Sequence, residues 1–155
     1  MRIIKECYAK WLITVIALLR GYSISQIKFL IAQSALETGN WNAKYWYSDR
    51  NLFGMSEMTN PQRRERLRGV RLGPDGLYRA QFYSLIGSVQ DRLDWDNQFL
   101  IPQKNYAKEV SKKYHPSPDY LLSVTNRIDT NITYTIYLTI ILTPLLIYLI
   151  IRWKF

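Results

Sequence analysis

Residues 24–39 read ISQIKFLIAQSALETG, and the reading of this stretch decides the fold. Ser23 and Gln26 stand as a capping box at its head, a helical apolar pattern runs from Ile24 to Glu37, and Gly39 supplies a stop. Ile27, Leu30, Ser34 and Glu37 follow one another at helical spacing, so one face of the helix carries all four. Glu37 therefore points where Ile27 and Leu30 point. A carboxylate on an apolar face at a helix C-terminus is disfavoured as an anion by desolvation and by the negative end of the dipole, so its pKa is expected to rise. A raised pKa suits a general acid; the competing reading is a glutamate paired with a basic group in the core.

Outward from this helix, WLITVIALL at residues 11–19 is too short to span a bilayer, and no small-x-small cleavage site follows it in LLRGYS. It predicts the first helix of a domain. Downstream, QRRERLRGV and LYRAQFY flank LGPDG, which predicts a β-hairpin over residues 62–83. SLIGSVQDRLDWDNQF (84–99) and NYAKEVSKKY (105–114) predict helices, and SPDYLLSVTNRI (117–128) predicts a third, begun by Ser117 and Pro118. From Ile132 to Ile151 the chain carries no charge, ITYTIYLTIILTPLLIYLII, a length that suits a transmembrane helix. Tyr134, Tyr137 and Trp153 stand near its ends as interfacial anchors, and lipid-embedded helices tolerate a proline such as Pro144. The competing reading is a buried terminal helix. On the membrane reading, residues 1–130 form a mainly helical domain with one hairpin. Residues 131–155 form a single-pass membrane anchor with a short basic tail, with lipid as partner through residues 132–151.

A chain of 155 residues suits one domain plus an appendage. Its 5 Trp and 12 Tyr supply a core without disulfide or metal staples. Cys7 is the only cysteine and His115 the only histidine, which excludes an intramolecular disulfide and a zinc site built on Cys and His. No metal and no cofactor are expected, and catalysis must use carboxylates, hydroxyls or amines. The formal net charge of +9 attracts a polyanion, whether nucleic acid, anionic lipid or an acidic cell-wall polymer. Arginines crowd residues 63–79, yet no helix-turn-helix, zinc-finger or aromatic RNA-binding signature accompanies them, so nucleic acid is not an expected partner.

AQSALETGNW (32–41) followed by NLFGMS (51–56) resembles the glucosaminidase family of bacterial autolysins and flagellar muramidases, related to lysozyme. Ala32, Gln33, Ala35, Leu36, Glu37, Thr38 and Gly39 match that family's AQxALETG, and Asn51, Leu52, Phe53 and Gly54 match its NLFGxK, with Ser56 in place of the lysine. QFYSLIGSVQD (81–91) and KNYAKEV (104–110) extend the likeness, which covers residue 3 to about residue 128; Gln81 stands near an expected arginine. The resemblance implies an α+β lysozyme-like fold with a glycan cleft between a helical lobe and a hairpin lobe. It also implies cleavage of the β-1,4 glycan of peptidoglycan at the bacterial cell wall, of the endo-N-acetylglucosaminidase type, with Glu37 as catalytic acid.

Glycoside hydrolysis needs a second group besides the acid, and the resemblance places a carboxylate on the hairpin. Glu65 occupies nearly that place, with Glu57 and Asp75 as rivals. The surrounding arginines would keep Glu65 ionised, and a surface salt bridge is the alternative. Tyr83 and Tyr106 match tyrosines of the family's cleft, Trp41 offers a ring face to a sugar, and Asn51 and Phe53 of NLFG are read as substrate contacts. For the tyrosines and Trp41, core packing is the alternative. Two other functions compete: a lytic transglycosylase, which also works with one glutamate, and a non-catalytic structural protein of a virion membrane. A short lysin with its own anchor suits the virion membrane of a lipid-containing phage, with virion proteins as further partners, or a bacterial inner membrane.

Overall fold

Seven helices and one hairpin form among the described residues: α1 (Arg2–Leu19), α2 (Ile24–Glu37), α3 (Lys44–Ser48), β1 (Leu67–Leu72), β2 (Tyr78–Phe82), α4 (Leu85–Gln98), α5 (Tyr106–Tyr114), α6 (Tyr120–Thr125) and α7 (Thr130–Lys154). The computed structural model describes residues 2–56, 65–73, 76–99, 101, 104–115 and 117–154. Helix α2 begins on the expected capping box: the Gln26 amide donates to Ser23 Oγ at 3.4 Å and the Ser23 amide donates to Gln26 Oε1 at 2.8 Å. It stops at Gly39, whose φ of +57° turns the chain so that the Asn40 amide reaches Ala35 O at 2.7 Å. Between these ends every side chain from Phe29 to Ala35 is buried. Helices α1, α5, α6 and α7 pack around it, so α2 is a central helix rather than an amphipathic surface one. Burial of Phe29, Leu30 and Ile31 contributes about 1.5–3 kcal/mol each.

The expected hairpin is present as an antiparallel pair, Leu72 opposite Tyr78 and Leu67 opposite Phe82, with one irregularity between Leu67 and Gly69. Buried Asp49, just after α3, clips it to the helical part by accepting from Arg71 Nε at 2.7 Å and Gln81 Nε2 at 2.9 Å. Arg66 pairs with Asp94 of α4, and Arg68 donates to Ser48 O at 3.2 Å. These arginines of the basic segment thus fasten the hairpin, while Arg63 and Arg64 lie outside the described residues. Helices α4 and α5 fall where the periodicity puts them. Helix α6 begins at Tyr120 rather than Ser117, because residues 117–120 form a tight turn closed by Tyr120 N donating to Ser117 O at 3.1 Å.

The C-terminal segment requires a correction. Among the described residues no helix is long and apolar enough to cross a membrane, so the transmembrane helix at 132–151, and with it the single-pass membrane location in a virion or an inner membrane, is not supported. The run is helical, as α7, but its first half belongs to the protein core. Ile132, Ile136 and Thr139, on one helical face, are 3%, 0% and 5% exposed against α1 and α2. Trp11 of α1 donates its indole N–H to Thr143 Oγ1 at 3.1 Å, and Asp129 caps the helix by accepting from Ile132 N at 2.8 Å. The competing reading, a buried terminal helix, fits one face of residues 132–143, while Tyr134, Tyr137, Leu138, Ile141 and Leu142 on the other faces stay exposed.

Candidate active site

Glu37 sits in the last turn of α2, partly buried. Its Oε1 accepts a hydrogen bond of 2.7 Å from the Tyr120 hydroxyl, at the start of α6. The direction of that bond is set from the core. Arg92 of α4 can only donate, and its Nε does so to Gln33 Oε1 at 3.0 Å, so the Gln33 amide nitrogen faces the other way and donates to the Tyr120 hydroxyl oxygen at 3.0 Å. The Tyr120 proton is thereby directed to Glu37 Oε1. Any proton the carboxyl itself carries is left on Oε2.

Oε2 lies against Gly54: a Cβ built there would stand 2.9 Å from it, and Gly54 has φ of +62°. The glycine of NLFG thus answers both a left-handed backbone and the need for room beside this oxygen. The rest of that motif is internal. Asn51 is 5% exposed; its Nδ2 donates to Met55 O and Ala80 O at 2.8 and 2.9 Å, and its Oδ1 accepts from Met55 N at 3.0 Å. Leu52 O accepts from Ser34 Oγ at 2.8 Å, and Phe53 is fully buried with its carbonyl bonded by the Tyr114 hydroxyl. The motif acts as a brace that carries Gly54 to the Glu37 carboxyl.

Burial pushes the Glu37 pKa above the ordinary glutamate value, and it outweighs the Tyr120 hydrogen bond and the positive charges of His115, Arg79 and Arg92, which act the other way. Among the described residues no ion pair holds Glu37, so the competing expectation of a salt-bridged core glutamate is not what forms. The Tyr120 hydroxyl is itself pushed far up by burial and by the adjacent carboxylate, so it stays a donor. A cavity of about 350 Å³ opens here, lined by Glu37, His115, Ser117, Asp119, Tyr120 and Ser123. The His115 ring stacks on Tyr120 at 5.0 Å and 11°.

Compared with protein families, with curated proteins and with solved structures, the chain matches none.

The other expected site residues are dispersed. Glu65 is exposed at the entry to β1, and no described hydrogen bond or ion pair joins it to Glu37. The hairpin residue whose charge acts on Glu37 is Arg79, opposite Arg71. Glu57 and Asp75 lie outside the described residues. Tyr106 is buried and donates to Asp96 at 2.6 Å in the core, Tyr83 is 61% exposed beyond the end of β2, and Trp41 is buried in a different cavity from that of Glu37. Conversely, Tyr120, His115 and Asp119 share the Glu37 cavity although no motif in the sequence ties them to it. The partner of Glu37 is 83 positions away, beyond the reach of any local pattern.

Proposed function

We propose that this protein is a glycosidase that cleaves the β-1,4 glycan of peptidoglycan, with Glu37 as the proton donor to the leaving oxygen. One observation carries the reading: a carboxyl whose pKa is raised by burial, hydrogen-bonded through one oxygen among the described residues, beside an open cavity. A raised pKa lets the carboxyl keep its proton to higher pH, as a general acid requires. The AQSALETG and NLFG motifs support it, because they supply the acid and the glycine beside it. Cleavage protonates the glycosidic oxygen from Glu37 Oε2 as the bond to the anomeric carbon breaks, and the oxocarbenium-like centre is then met by water.

For the second group, Asp119 shares the acid's cavity, whereas Glu65 lies on the hairpin. Purified sacculi digested by the protein and analysed by mass spectrometry report which bond breaks and whether the new end is hydrated or anhydro. Glu37→Gln is expected to lower the rate at least about 10²-fold, the lower end of what proton donation contributes. Lysis by Glu37→Gln at the parental rate refutes the proposal. Loss of turnover in Asp119→Asn with a normal Glu65→Gln places the second carboxylate in the cavity, and the reverse places it on the hairpin. An anhydro product identifies the lytic transglycosylase reaction instead of hydrolysis.

A further inference from the structure

The cavity beside Glu37 does not end at His115. That residue and Ser117 also line a second hollow, of about 260 Å³, between α5 and the turn that begins α6. The second hollow shares Lys108 and Leu121 with a third, of about 370 Å³, which reaches Ser25 and Gln26 at the start of α2. The three follow one another along the seam between α5 and α6, from the last turn of α2 to its first. Gln26 and Glu37 lie in one helix, roughly 16 Å apart along its axis. A site for one small molecule needs no such extension, whereas a polymer held across several units does.

The charge along this groove changes sign. Glu37 and Asp119 line the acid's own cavity. Among the described residues no carboxylate lines the other two hollows, and the cations there come from α5. Lys108, Ser111 and Lys112 share one face of that helix, and His115 follows one turn on. Lys112 is answered by Glu109, whose Oε1 lies 3.0 Å from its Nζ. Lys108 is exposed, and no described hydrogen bond or ion pair engages its ammonium. Its flexible four-carbon stem starts at the wall that the second and third hollows share, so the charge reaches the contents of either. Alternate sugars of a peptidoglycan strand carry lactyl-linked peptides, whose carboxylates are anions at neutral pH. We infer that the strand runs from Glu37 along the α5–α6 groove and sets a peptide carboxylate on Lys108, so that the substrate is peptide-bearing glycan rather than bare glycan. The inference rests on the glycosidase reading and adds to it a subsite for an acidic substituent.

Binding is measured on the full chain carrying Glu37→Gln, which leaves the probe uncut, by proton–nitrogen NMR. Two probes are compared: the glucosaminyl-muramyl disaccharide bearing alanyl-glutamate, and the same compound with its carboxylates converted to amides. The acidic probe is expected to bind about fivefold more tightly, as the stronger exposed charge pairs do, and the preference should fade as added salt screens it. Lys108→Gln keeps a good helix former at this exposed position and removes the charge. In that variant the two probes are expected to bind alike, with the affinity for the amide probe unchanged. Equal binding of the two probes while Lys108 is present overturns the inference. So does a preference that survives Lys108→Gln, or no saturable shift with either probe. The glycosidase reading fails separately: it is refuted if the parent leaves sacculi intact, whereas lysis by the parent without any preference for the acidic probe refutes the subsite alone.

Discussion

At Glu37 two effects of opposite sign meet, burial raising the pKa and the Tyr120 hydroxyl lowering it, and burial wins. Tyr120→Phe removes the lowering effect, so the pKa rises further. Because the acid acts protonated, the falling limb of kcat against pH is expected to move to higher pH in Tyr120→Phe. Turnover at the optimum should drop about tenfold as the carboxyl loses its orientation. A pH–rate profile on sacculi checks both, and an unmoved limb would remove Tyr120 from the acid's environment. The same raised pKa bears on stability. The folded protein binds this proton more tightly than the unfolded chain, so the stabilisation is present below the ordinary glutamate value and is lost as pH rises through the native one. Glu37→Gln is therefore expected to melt above the parent at neutral pH, the opposite of its effect on activity.

Helix α7 shows what an apolar run conceals. Its residues are apolar or hydroxylated on every side, so no periodicity in the sequence says which face packs. The structure buries Ile136 completely and leaves Ile141 65% exposed. Ile136→Ala is expected to cost about 2–5 kcal/mol, with each kcal/mol lowering Tm by roughly 2–4 °C at this chain length. Ile141→Ala should stay within about 0.5 kcal/mol. Thermal unfolding followed by circular dichroism separates the two, and equal effects would contradict the packing of α7 on α1 and α2. Helix α2 is the contrasting element. Its capping box and glycine stop are local, so both ends were legible, whereas the burial of its whole circumference was not.

Through the molecule runs one buried polar chain. Tyr22 and Tyr106 donate to Asp96 Oδ2 at 2.8 and 2.6 Å, Arg92 pairs with Asp96, and Arg92 reaches Glu37 through Gln33 and Tyr120. Arg92 is fully buried, packed against Trp95 and Tyr114 at 4.9 and 5.3 Å. Removing one charge of such a pair strands the other in low dielectric. Asp96→Asn is therefore expected to lose about 3–5 kcal/mol, seen as a lower urea midpoint at unchanged slope. A loss below about 1 kcal/mol would mean that Arg92 reaches water.

What this sequence determined by itself is whatever depends on neighbours along the chain: the helical periods, the caps at Ser23 and Gly39, the two strands flanking LGPDG, and a glutamate at the end of an apolar helix. The order of elements follows from these, and with the AQSALETG resemblance so does the expectation that Glu37 is the acid. Tertiary structure alone decided which residues meet Glu37. It placed Tyr120 and Gly54 against the carboxyl, drew Asn51, Phe53 and Tyr106 into the interior, and turned Trp41 to a second cavity. It also folded the first half of the uncharged C-terminal run onto α1 and α2, where the run by itself suggested lipid. The reason is physical: an apolar side chain gains by leaving water whatever it packs against. Hydrophobicity therefore announces burial but not its partner, and only the packed fold names the partner.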